Sequence, residues 1–123
     1  MFLRIMALLF GIGFLFAGVA GFMPQFTPNN LLFGYFGVSP IHNAIHLASG
    51  VVALIAATDF RYAKWYFILF GLVYGAVAIV GVAQPQMMSM GTMMNMNPAD
   101  NMLHGGIAIV SLLLGLTARR PGN

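Results

Sequence analysis

The chain has 123 residues, 60 % hydrophobic and 6 % charged, with a formal net charge of +3 and no cysteine. With a mean hydropathy of +0.90, that composition excludes an ordinary soluble domain and describes an integral membrane protein whose first partner is the lipid bilayer. The missing cysteines exclude disulfides, thiolate metal sites and thiol nucleophiles, and five scattered basic residues lack the clustering that binding to nucleic acid needs.

Four charge-free windows are long enough to cross the roughly 30 Å hydrocarbon core as helices: Ile5–Phe22, Ile41–Thr58, Trp65–Ala83 and Asn101–Ala118. They predict an all-α fold, a transmembrane up-down-up-down four-helix bundle made of two similar helical hairpins, with residues 1–123 forming one domain and no room for a large ligand cavity. Arg4 before the first window and the small residues Val19-Ala20-Gly21 at its end imitate a cleavable signal peptide. The run is long enough to span, so it is read as a retained helix. It closes at Pro24-Gln25, and the loop that follows carries Phe33, Tyr35 and Phe36, residues suited to a membrane interface.

The second window opens with Ser39-Pro40, a side-chain cap followed by proline at the first helical position. Within it runs Pro40-x-x-Asn43-x-x-His46. Arg61 and Lys64 separate the second and third windows, beside a second set of interfacial aromatics, Tyr62, Trp65 and Tyr66. The third contains Gly71-x-x-x-Gly75, a close-contact spacing shared by Ala17-x-x-x-Gly21 in the first, and ends at Pro85-Gln86. The fourth repeats the start of the second as Asn97-Pro98 and Pro98-x-x-Asn101-x-x-His104, and Arg119 and Arg120 follow it. Every basic residue thus falls at one end of the expected bundle, and the loops 23–39 and 84–100 contain none. The positive-inside rule places both termini in the cytoplasm and both loops outside. Two hairpins in the same orientation should be related by a pseudo-twofold axis along the membrane normal.

With Pro40 and Pro98 as first helical residues, His42, Asn43 and His46 share one helix face, as do Asp100, Asn101 and His104. His46 and His104 lie roughly 9 Å inward from their helix starts, where polar groups should turn to the bundle interior and to each other, the two asparagines orienting the imidazoles. Three chemistries suit this polar layer: structural hydrogen bonding across helices, metal ligation, for which His42-x-x-x-His46 has one-face spacing, and proton handling by Asp100 with His104. Acid–base or nucleophilic catalysis is not expected, since no nucleophile, carboxylate pair or phosphate loop accompanies the histidines in the sequence. The chain is read as a non-enzyme. The outer loop adds six methionines in the ten residues Met87–Met96. Thioethers select copper(I), so Met87, Met90, Met93 and Met96, with His42 as an imidazole donor, form a candidate copper site; the alternative is a flexible apolar cap.

The run Pro40-Ile-His-Asn-Ala-Ile-His-Leu-Ala-Ser-Gly50 and the later Ala99-Asp-Asn-Met-Leu-His104 resemble a bacterial family of small four-helix membrane proteins catalogued as a domain of unknown function. The resemblance covers nearly the whole chain through its Asn-x-x-His-Leu and Asp-Asn-x-x-His motifs. It marks Asn43, His46, Asp100, Asn101 and His104 and implies no activity, and the Met-rich segment departs from its pattern. It implies the bacterial inner (plasma) membrane as location. The residues themselves leave three readings: a non-enzymatic membrane protein of unknown role with a structural His/Asn layer near the outer face, for example an accessory subunit of a larger complex or a homo-oligomer; an extracytoplasmic copper-binding protein; and a haem protein with His46 and His104 as axial ligands.

Overall fold

The computed structural model describes residues 1–88 and 96–119. Its helices are α1 (Phe2–Ala20), α2 (Pro40–Ala56), α3 (Phe60–Ala83), a single turn α4 (Pro85–Met88) and α5 (Pro98–Thr117). The starts are set by side-chain caps that satisfy first-turn N–H groups. Ser39 Oγ accepts from the His42 N–H at 3.0 Å, and Asp59 accepts from the Arg61 N–H at 2.8 Å. Asn97 and Asp100 form a reciprocal capping box, with bonds of 3.1 and 3.0 Å.

The fold is all-α in its packed body, as the sequence leads one to expect, but the helices are not coextensive with the hydropathy windows. α1 and α3 begin earlier and take in Arg4, Arg61 and Lys64, because a charge in the first turn interrupts an apolar window without interrupting a helix. Three helices, α1, α3 and α5, are long and apolar enough to cross a membrane. α2 has 17 residues and rises about 25 Å, slightly less than the hydrocarbon thickness. The loop after α1 holds a two-stranded antiparallel ribbon, β1 (Leu31–Leu32) and β2 (Phe36–Gly37), turned by Phe33 and Gly34 at positive φ.

α1 packs along α2 and α3 along α5, and contacts between these two pairs are sparser. Small residues set the close approach: a Cβ on Gly11 would stand 3.1 Å from the Gly50 carbonyl oxygen, and one on Gly50 would stand 3.0 Å from that of Gly11. The pairs are two copies of one design, in which equivalent residues make equivalent contacts. Leu54 lies over Gly11 as Leu112 lies over Gly71. Arg4 Nε donates to the Ala57 carbonyl at 2.8 Å, and Lys64 Nζ donates to the carbonyls of Gly115 at 2.5 Å and Ala118 at 3.0 Å. Each cation thereby satisfies free carbonyls at the negative end of the second helix of its hairpin.

Burial is layered along the bundle. Leu3, Ala7, Ala53, Ala56, Ala63 and Phe67 fill the end near the basic residues, and Phe14, Tyr74 and Ala108 fill the middle. The other end buries His42, Asn43, His46, Asp100 and His104. Tyr66 departs from its expected interfacial place. It is buried and its hydroxyl donates to the Ser49 carbonyl at 3.2 Å, since it shares the inward stripe of α3 with Ala63, Phe67 and Tyr74. Tyr62 and Trp65 are exposed.

Candidate metal centre

The first two turns of α2 and α5 face each other across the bundle, and their side chains bring together three imidazoles. His42, His46 and His104 are 2 %, 8 % and 1 % exposed. Their ring centroids lie 4.5 Å (His42–His46), 5.5 Å (His42–His104) and 6.2 Å (His46–His104) apart. One ligand nitrogen from each lies within 4.8 Å of the others. One-turn spacing aligns His42 with His46, and the repeat places His104 opposite. Aromatic rings of equivalent residues hold the latter two in place, Phe14 at 5.8 Å from His46 and Tyr74 at 5.3 Å from His104, while Phe14 and Tyr74 stack at 5.4 Å.

Within the polar layer the repeat breaks at the third helical position. His42 and Asp100 hold the same third helical position in α2 and α5. Asp100 is a carboxylate and is otherwise engaged: it accepts from the Gly37 N–H at 2.8 Å and the Asn97 N–H at 3.0 Å. Asn97 Nδ2 adds a bond to the Tyr35 carbonyl at 2.9 Å, so the ribbon is fastened onto the start of α5. Asp100 stays within electrostatic reach of His42. No Asp100–His104 hydrogen bond is present among the described residues, and neither His104 ring nitrogen has a hydrogen-bond partner there.

Asn43 and Asn101 have a different setting from the one expected of them. Each carboxamide lies against a glycine near the end of the neighbouring helix, Gly21 for Asn43 and Gly81 for Asn101, so close that a Cβ there would collide with its oxygen. These contacts hold helices together. Of the methionines proposed as copper ligands, Met90, Met93 and the side chain of Met87 lie outside the described residues. Met96 is buried, 3 % exposed, and lines a cavity of about 290 Å³ together with all three histidines.

Ser49 and Tyr74 line the same cavity, their hydroxyls hydrogen-bonded at 2.9 Å. Sequence reasoning passed over both. Ser49 lies three residues beyond His46 on the same face, and Tyr74 replaces the Phe14 of the first copy, so the repeat itself carried the signal. Chemically, the site presents several imidazole nitrogens in an apolar enclosure. Bringing one nitrogen from each ring to about 2.0–2.1 Å from a shared cation requires them to stand about 3.4 Å apart, a modest rotation from the observed spacing.

A family model described as a domain of unknown function (DUF4383) matches residues 4–117. No curated protein and no solved structure matches the chain.

Proposed function

Starting from a chain that belongs to the family described as a domain of unknown function, DUF4383, we propose that it is a membrane protein that binds a single transition-metal ion at His42, His46 and His104. The observation that carries this reading is the convergence of three buried imidazoles with ligand nitrogens within 4.8 Å of one another. Buried polar groups without partners are costly, and a shared cation would satisfy lone pairs that no described hydrogen bond uses at His104. Imidazole suits zinc, copper, iron and nickel; the adjacent Met96 adds a soft donor that favours copper(I). The function is binding and not catalysis. His42 forms the third corner of a triangle with His46 and His104, beside the line that joins them and inside the disc a porphyrin would need there, which favours a bare ion over haem.

The orientation we propose puts the centre near the outer face. The described basic residues, Arg4, Arg61, Lys64 and Arg119, belong to the opposite end of the bundle, and positive charge favours the cytoplasmic side. The location that fits is a bacterial inner membrane.

The test is metal analysis of purified, chelator-stripped protein reloaded with copper(I) under reducing conditions or with zinc(II). One ion per chain is expected. His104→Gln and His46→Gln should each weaken retention by 10-fold or more, and lowering the pH should release the ion because protons compete for the ring nitrogens. Met96→Leu should weaken copper(I) and leave zinc(II) unchanged. Folded protein that holds neither metal above buffer level would defeat the proposal.

A further inference from the structure

The internal repeat produces two equivalent seams between the hairpins. One lies between α2 and α3 and contains the cavity of about 290 Å³, walled by Ile45, Val52, Phe70, Val73 and Val77. The other, between α5 and α1, contains a cavity of about 350 Å³ walled by Leu103, Phe10, Gly13 and Ala17 at the equivalent positions. Both reach the outer flank of the bundle: Val52 and Val73 are 42 % and 58 % exposed, and Leu103 and Leu9 are 40 % and 54 % exposed.

Their floors differ. The first has the Ser49–Tyr74 hydroxyl pair, and the second has Ile107 and Phe14 in the same two places. Packing does not require the hydroxyls, since the second seam fills those places with hydrocarbon. Two hydroxyls carry two protons and their mutual bond uses one, leaving an O–H to donate. His104, buried and with neither ring nitrogen hydrogen-bonded among the described residues, borders the same space, its ring 5.3 Å from that of Tyr74.

These features select an occupant. Among the described residues, no Lys, Arg, Asp or Glu lines the groove, so a phosphate or carboxylate head would find no counter-charge. Phe70, Tyr74 and His104 offer ring faces, which favour a flat unsaturated ring. The volume of about 290 Å³ is just under the about 300–1,000 Å³ typical of ligand pockets, room for one ring with any tail left outside. A neutral flat ring with carbonyl acceptors and an apolar tail is a quinone. We propose that the α2/α3 groove binds the head of a lipid-soluble quinone, one ring carbonyl accepting from the Ser49–Tyr74 pair and His104 making the second polar contact. The inference rests on the bundle lying in a bilayer and does not require the metal, because an imidazole has two ring nitrogens and His104 has one for each partner.

The test is calorimetric titration of the whole protein in neutral-lipid nanodiscs with decylubiquinone as probe. Saturable binding of one molecule per chain is expected. Tyr74→Phe, a residue that the first copy already carries at Phe14, should weaken it about 10-fold without changing Tm, and Val73→Trp should abolish it by filling the groove. Gly13→Leu, in the other seam, should leave it unchanged. Uptake that never saturates, as when acyl chains fill the groove, or equal affinity in wild type, Tyr74→Phe and Val73→Trp, would overturn the proposal. Metal content measured on the same samples keeps the two readings apart: a wild-type protein that retains one ion and binds no quinone defeats only this one, and quinone binding without metal defeats only the other.

Discussion

Gly21 and Gly81 show how a single hydrogen atom in place of a methyl group positions the polar layer. Each glycine leaves room for an asparagine carboxamide of the paired helix, and the asparagine is three residues before the histidine that faces the bundle centre. Gly81→Ala should push the Asn101 carboxamide away and destabilise the fold by about 1–3 kcal/mol, the usual result of overpacking. Gly13→Ala, with nothing within 4 Å of the added Cβ, should be neutral or slightly stabilising through helix propensity. Thermal unfolding of both variants checks the pair, and equal melting temperatures would contradict the packing argument. The histidines were legible at this scale because helical spacing alone puts His42 and His46 on one face and the repeat supplies His104. The glycine partners of Asn43 and Asn101 were not, because a contact between helices depends on their relative register, which no local pattern contains.

At the scale of elements, Asp100 links two of them: it completes the capping box of α5 with Asn97 and holds β2 through the Gly37 N–H. Hydrogen bonds to a charged group contribute about 1.5–3 kcal/mol each, so Asp100→Ala should release the ribbon before it unfolds the bundle. Hydrogen exchange should then rise about 10-fold or more for the amides of residues 31–37 while the middle of α3 stays protected; uniform exchange across both would show that the carboxylate supports the whole fold. The Ser39 and Asn97 caps were readable as residue types ahead of proline. The ribbon was not, since two-residue strands fall below any periodicity, and its fastening to α5 joins parts of the chain 63 residues apart. The start of α3 is not legible from hydropathy for a related reason: Asp59 caps it from within a charged stretch that a hydropathy window rejects.

For the whole molecule, the proposed orientation predicts that a cysteine introduced as Tyr35→Cys, at a 69 % exposed position in the ribbon turn, reacts with an impermeant thiol reagent added to intact cells. Labelling only after the membrane is broken would invert the topology. The architecture was legible from the charge-free windows and the repeated helix starts, but the repeat was visible in the sequence only around the Pro-Asn-His motif. Its remainder, such as Arg4 with Lys64 or Phe14 with Tyr74, pairs unlike side chains whose equivalence shows only in what they contact. The exchange of His42 for Asp100 has a consequence for stoichiometry. Two identical chains around a true twofold axis must carry the same side chain on both sides, so a symmetric pair would offer either two histidines or two carboxylates at this position. One covalent chain is free of that constraint, and the centre proposed for it is single and lopsided. Its occupancy should therefore follow a simple hyperbola, with a Hill coefficient of about 1 and no half-filled state.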